Sequence, residues 1–172
     1  NRTDPGDTCR IESVIRMVGP DIRLSSLLKE KYIELDLEEK DKKKILAELV
    51  DSIAAKARFK NKKEILATLI KREKLGSTGI GNGVAIPHAR SPKVKDFILA
   101  FARKSGGVDF GALDGDKTYL FFVLISPEAN IGGHLKILAE VSRLVKDKFI
   151  VDRLKAAADK KEIIKVISTY ER

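Results

Sequence analysis

The amino-acid sequence predicts one layered α/β domain, and three observations carry that expectation. Apolar residues recur at helical spacing early in the chain, at Ile45, Leu46, Leu49, Val50, Ile53 and Ala54, and again late, at Leu138, Val141 and Val145. Between them, Phe121 to Ile125 is apolar at every position, as in a strand covered on both faces. Helices that flank strands in sequence must pack on the sheet as layers. With 172 residues, 43% of them hydrophobic, the chain has enough core for one such domain.

The elements can be justified in order. Residues 1–20 carry Asp4, Asp7, Arg10, Glu12 and Arg16 and lack the apolar core of a signal peptide, so they are set apart as a tail, native or introduced. The domain is taken as residues 21–172. Ile33, Leu35 and Leu37 alternate with polar residues, a short strand pattern. The helix around Ile45 extends to Arg58 or its neighbour. Asn61 followed by Glu64 resembles a capping box opening a second helix, with Ile65, Leu66, Leu69 and Ile70 as its core face and Gly76 just past its end.

Gly76 to Asn82 reads as a loop, and Val84 to Ile86 as a short β-prone run ended by Pro87. Asp96 to Lys104 and Lys117 to Ser126 read as longer strands, joined through Gly106, Gly107, Gly111 and Gly115. Three helices close the chain. The first begins near His134 with Leu135, Leu138, Val141 and Val145 as its stripe. The second lies near Lys148 to Ala157. The third follows Asp159, an N-cap residue, and carries Ile163, Ile164 and Ile167.

Composition narrows the function. No run approaches the roughly 18 apolar residues that would span a bilayer. Cys9 is the single cysteine and His88 and His134 are the only histidines, so no intrachain disulfide and no metal-ligand spacing is present. The expected metal complement is none. The net charge of +9 allows nucleic acid, a membrane surface or an acidic partner. The lysines are dispersed, however. Lys40, Lys42, Lys43 and Lys44 are read as the solvated end of the helix they precede. Aromatics are 6% and Trp is absent, which argues against base-stacking recognition of nucleic acid.

The chemistry concentrates in Gly76-Ser77-Thr78-Gly79-Ile80-Gly81-Asn82-Gly83-Val84-Ala85-Ile86-Pro87-His88. Glycines let backbone N–H groups approach an anion. A Walker A loop needs Lys-Ser/Thr after its last glycine, which is missing here, and a dinucleotide loop leads from strand to helix rather than from helix to strand. The loop therefore reads as a phosphate-binding candidate without a nucleotide. Pro87 holds Ile86 extended and is expected to end the strand, placing His88 just beyond its carboxyl end. An imidazole there is neutral and nucleophilic at pH 7. A surface or core histidine is the plainer alternative.

Arg72 and Glu73 form the next candidate pair. With Ile65 set at zero, Arg72 falls at about 340° and Glu73 at about 80° on their helix, near the apolar face. Either the helix end frays into water, or Arg72 stands at the rim of the phosphate loop, held by the Glu73 carboxylate, where its fork suits phosphoryl oxygens. His134 stands in the first turn of a helix. It is either a core histidine or a second imidazole at an end that favours anions.

At these residues a family resemblance emerges. Gly79 to His88 resembles the active-site signature of phosphotransferase-system enzyme IIA of the fructose/mannitol type, and Arg72-Glu73-Lys74-Leu75-Gly76-Ser77-Thr78 is most similar to its nitrogen-regulatory branch. The resemblance extends from Leu24 to Tyr170 and implies a three-layer α/β/α sandwich with a mixed sheet. It implies that His88 is phosphorylated through Nε2, with His134 and Arg72 as catalytic neighbours. Ser77, Thr78, Gly79, Gly81, Asn82 and Glu73 would bind the phosphoryl group or support it. No cofactor is implied. The donor would be a histidine-phosphorylated carrier protein. The acceptor would be an enzyme IIB cysteine, or the partner a regulated protein such as a potassium transporter or sensor kinase. The expected setting is cytoplasmic, without membrane insertion or nucleic acid. One departure is Ala89, where many relatives have Gly after the active-site histidine.

Two rival readings remain. A non-catalytic binding module on the same fold would not need His88, His134 and Arg72 together. A nucleic-acid-binding domain would rest on charge alone and would show steep salt dependence. Since nothing resembling enzyme IIB or a permease accompanies the domain, a regulatory role is expected over sugar transport.

Overall fold

A computed structural model describes residues 22–171; Cys9 and the tail expected at residues 1–20 lie outside the described residues. The chain runs α1 (Leu24–Leu27), β1 (Leu28–Glu34), α2 (Lys42–Ala57), α3 (Lys62–Lys74), β2 (Gly79–Gly81), β3 (Val84–Ala85) and β4 (His88–Ser91). It continues through β5 (Ile98–Val108), β6 (Thr118–Pro127), α4 (Ile131–Val145), α5 (Lys148–Ala156) and α6 (Lys160–Tyr170).

The six strands form one mixed sheet in the order β1-β5-β6-β3-β2, with β4 also pairing β6. β1 is parallel to β5, β5 is antiparallel to β6, and β3 and β4 both run parallel to β6. The central strand β6 is buried on both faces, as its unbroken apolar run requires. Leu120, Phe122 and Leu124 pack with Ile137, Val141, Leu154, Ile163 and Ile167 from α4, α5 and α6. Phe121, Val123 and Ile125 pack with Ile45, Leu49, Ile65 and Leu69 from α2 and α3. The result is the α/β/α sandwich with a mixed sheet.

Helix starts follow local chemistry. Asp41 accepts from the backbone of Lys43 and Lys44, Asn130 from Gly133, Asp147 from Phe149 and Ile150, and Asp159 from Glu162. Four expectations shift. The first strand is Leu28–Glu34, so Ile33 is in it while Leu35 and Leu37 lie beyond its end. The capping box does not form: Asn61 turns its amide to Ser91 Oγ at 3.3 Å, and Glu64 pairs with Lys93. The stretch Gly76 to Asn82 is not all loop. Gly79–Gly81 pairs antiparallel with Val84–Ala85, and Asn82 (φ 57) and Gly83 (φ 76) form the turn between them. Asn-Gly tolerates two successive left-handed residues, which a tight hairpin demands. In the α4 stripe, Leu135 is solvent-facing and His134 takes the buried position with Ile137, Val141 and Leu144.

Arg103 of β5 ties the last helices to the sheet. Its Nη1 donates to the carbonyls of Leu154, Lys155 and Ala157 at the end of α5, and its Nε donates to Leu35. A fixed cation at a helix C-terminus satisfies carbonyls the helix itself leaves unpaired. Arg103→Ala is expected to cost about 2–3 kcal/mol, as for loss of charge-assisted hydrogen bonds. A urea unfolding midpoint would show it, with Arg103→Lys recovering part of the loss.

Candidate active site

β3 and β4 are two pieces of one strand that runs beside β6. Val84 and Ala85 pair with Leu120 and Phe121, and His88 through Ser91 pair with Leu124 through Pro127. Pro87 interrupts the ladder without ending it. Its carbonyl still accepts from Leu124 N at 3.0 Å. His88 therefore opens a strand rather than standing beyond one, which corrects the expectation from Pro87. The two-residue period puts Val84, Ile86, His88 and Arg90 on the face turned towards α4.

His88 and His134 meet there, with ring centroids 5.4 Å apart and planes at 57°. His88 Nδ1 lies 2.8 Å from the carbonyl of Ile86. A carbonyl can only accept, so Nδ1 carries the proton and Nε2 keeps its lone pair. Burial holds the His88 pKa below its ordinary value; the Ile86 carbonyl opposes this, Arg72 lowers it further and Glu73 raises it. His134 is 5% exposed, and its Nδ1 lies 2.8 Å from Ser126 Oγ. Burial first, then the charges of His88 and Arg90, push its pKa down to about 4. Both imidazoles are neutral at pH 7.

The two rings line a pocket of about 510 Å³. α3 supplies Thr68, Lys71, Arg72 and Leu75 to its wall, and α4 supplies Ile131, Leu135 and Leu138. Lys71, Arg72 and Arg90 make it cationic against the single carboxylate of Glu128. Around it stand exposed apolar side chains: Leu75 at 81%, Ile131 at 53% and Leu135 at 59%.

The structure thus brings His88, His134 and Arg72 together. The remaining candidates lie elsewhere. Glu73, Ser77, Thr78, Gly79, Gly81 and Asn82 do not line this pocket. Glu73 is buried and does not hold Arg72. It accepts from the backbone and hydroxyl of Thr78 and pairs with Lys42 Nζ at 2.8 Å. Arg72 instead donates to the carbonyl of Gly76 at 2.9 Å. Lys42 also lies over the Phe110 ring, so it is an anchor and not part of a solvated helix end. Ser77 Oγ donates to the Phe110 carbonyl and accepts from Gly79 N. A side chain at Gly79 would meet Ala112 Cβ at 3.0 Å, and Asn82 N donates to Asp114. The glycine-rich segment is a packed hairpin stapled to the end of α3. Lys71 has no signature in the sequence, whereas Arg90, which follows Ala89 in the departure beside His88, is the next residue on the His88 face of the strand. No group of residues suited to a metal ion occurs among the described residues, and no helix among them is long and apolar enough to cross a membrane.

Comparison with known proteins bears on this site. Residues 26–170 match the family described as phosphoenolpyruvate-dependent sugar phosphotransferase system, EIIA 2. The chain is 39% identical over 127 residues to a nitrogen regulatory protein of Bradyrhizobium diazoefficiens, covering 74% of this chain and 82% of that one. The nitrogen regulatory protein IIA-Ntr of Neisseria meningitidis superposes with a TM-score of 0.78 at 33% identity, covering 84% of this chain and 98% of that chain. The mannitol enzyme IIA of Escherichia coli, solved in complex with phosphorylated enzyme IIB, shares the fold with a TM-score of 0.70 at 19% identity, over 83% of this chain and 99% of that chain.

The depressed His134 pKa makes a testable link to stability. The unfolded chain takes up the proton near the ordinary value of 6.5, whereas the folded chain resists until about 4. The stabilisation is therefore complete above pH 6.5, is lost progressively as pH falls towards 4, and is absent below. Urea midpoints across that window should fall more steeply for the wild type than for His134→Gln.

Proposed function

The chain belongs to the phosphoenolpyruvate-dependent sugar phosphotransferase system EIIA 2 family, and on that premise we propose that His88 is the residue that carries its phosphoryl group. As a member of this family it is a phosphotransferase component that passes phosphoryl groups through histidine. The observation that carries the assignment is the His88 ring itself. Its Nδ1 is committed to the Ile86 carbonyl, leaving Nε2 as a neutral nucleophile in a cationic pocket.

The donor on this reading is a histidine-phosphorylated carrier protein. The Nε2 lone pair of His88 attacks phosphorus, a new N–P bond forms as the donor's N–P bond breaks, and the donor imidazole leaves with that electron pair. The transition state is loose, with charge spread over three equatorial oxygens. The protein's task is to position and neutralise. Arg72, pinned by the Gly76 carbonyl, and Arg90, two residues along the same strand, meet that charge. His134 gives a hydrogen bond. No magnesium is called for. The hairpin from Gly76 to Gly83 acts on the site by fixing the end of α3, rather than by cradling phosphate.

The exposed Leu75, Ile131 and Leu135 ring the pocket and suit docking of donor and acceptor in turn. The solved complex of the mannitol relative with phosphorylated enzyme IIB supports such docking. We favour a regulatory role over sugar uptake, because a nitrogen regulatory protein stands at 39% identity over 74% of this chain whereas fructose-specific relatives stand at 30% over 88% and 32% over 70% of it. On this reading the exchange is cytoplasmic.

Incubation with phosphoenolpyruvate, enzyme I and the small carrier protein tests the assignment. Wild type should take up acid-labile label and His88→Ala none; label retained on His88→Ala would overturn it. Arg72→Ala should lower the uptake rate about 10- to 100-fold, the scale of one charge-assisted transition-state contact. Leu135→Asp should raise the donor concentration needed for half-maximal uptake while leaving the fold intact by circular dichroism.

A further inference from the structure

Ser126 is the last residue of β6 before Pro127, and its side chain is wholly buried. Its hydroxyl lies 2.8 Å from Nδ1 of His134, and this is the one hydrogen bond Ser126 Oγ makes among the described residues. The direction of that bond decides what His134 presents to the pocket. A neutral imidazole carries one N–H. Were Nδ1 to hold it, the Ser126 hydroxyl would accept, and its own hydrogen would be buried without an acceptor. The His134 Nε2 lone pair would then face the phosphoryl oxygens and repel them. With Ser126 donating, its hydrogen and the Nδ1 lone pair are both satisfied, and Nε2–H is left for the pocket. An unsatisfied buried donor costs on the order of 1–3 kcal/mol, enough to decide between the two.

We propose that Ser126 is a positioning residue for phosphoryl transfer: its buried hydroxyl donates to His134 Nδ1 and locks His134 as the Nε2–H tautomer, the donor to a phosphoryl group on His88. The proposal rests on the phosphocarrier reading above. It makes the two rings opposite in kind. The Ile86 carbonyl takes the proton position of His88 at Nδ1 and frees Nε2 to attack. The Ser126 hydroxyl occupies Nδ1 of His134 as a donor and sends that ring's hydrogen to Nε2. The parallel register places both partners, since His88 pairs with Leu124 and Arg90 with Ser126.

Two histidines in the chain give a spectrum of only two rings. Long-range nitrogen–proton correlation on uniformly ¹⁵N-labelled protein at pH 7, assigned with His88→Gln, separates the tautomers. Wild type should show His88 as Nδ1–H and His134 as Nε2–H. Ser126→Ala, its fold checked by amide spectra, should move His134 towards a mixture of tautomers. It should also slow phosphoryl uptake from the phosphorylated carrier protein about 3- to 10-fold at saturating donor, the scale of one neutral hydrogen bond. Ser126→Thr, which keeps the hydroxyl, should restore both. A wild-type His134 in the Nδ1–H form would overturn the proposal, as would an unchanged His134 tautomer in Ser126→Ala. Either result alongside normal wild-type uptake would leave the phosphocarrier reading standing. Expected tautomers with no uptake by wild type would instead overturn that reading, and the role in transfer with it.

Discussion

The parallel pairing of His88 with Leu124 is the constraint on which the site depends. β6 is a deeply buried strand, and its register is pinned because a slip of one residue would exchange its two apolar faces between two different helix layers. β4 inherits that register. Its side-chain alternation then has no freedom: His88 and Arg90 face α4, and Ala89 enters the opposite core with Ile125. Ala89 is buried there, so the departure beside the histidine is a packing choice on the far face of the strand. β6 also ends at Pro127 and leads through Asn130, which caps α4, so His134 arrives opposite His88 in the first turn. One strand register thus fixes both imidazoles.

The electrostatics of the pocket depend on where the nearby carboxylate goes. Glu73 adjoins Arg72 in sequence, and paired with it would cancel a cation that the site needs. It is instead buried, paired with Lys42 and bonded to Thr78. A buried carboxylate is tolerable only when paired and fully hydrogen-bonded. That arrangement has a second consequence. The bonds to Thr78 hold the hairpin against α3, so the Gly76 carbonyl is fixed where Arg72 can donate to it. The glycine-rich segment therefore acts at one remove, through the orientation of an arginine.

This explains which parts of the molecule were legible in sequence. The layered class, the doubly covered strand at Phe121 to Ile125 and the Asp159 cap were legible because each depends on local pattern. His88 is legible from the glycine-rich segment and Pro87 before it, and Arg72 and His134 as polar groups at or beside apolar helical stripes. The role of Glu73 was not legible: helical spacing showed it near the core face but could not show that Lys42, thirty-one residues earlier, would meet it. The hairpin at Gly79 is encoded in the Asn82-Gly83 turn, but a dense cluster of glycines suits anion binding and backbone reversal alike and so conceals it. Ser126 has no signature in one dimension. Its meaning comes from the end of a strand meeting the first turn of the next helix.

On the proposed phosphocarrier reading, the same geometry lets one small surface treat its partners differently before and after transfer. Lys71, Arg72 and Arg90 give the pocket more positive than negative charge while His88 is bare. A phosphoryl group adds about −1.5 to −2 charge at neutral pH. Held on Nε2, it would neutralise most of that excess at the centre of a ring formed by Leu75, Ile131 and Leu135. The apolar ring is common to both states, so it supplies adhesion without discrimination. The charge at its centre differs, so a partner that brings its own phosphoryl group meets an attractive pocket only in the bare form. A partner with a cation at that point is freed in the phosphorylated form from the repulsion it meets in the bare one. Electrostatic complementarity of this kind contributes more to partner choice than to raw affinity, and here the group that sets it is the group being carried.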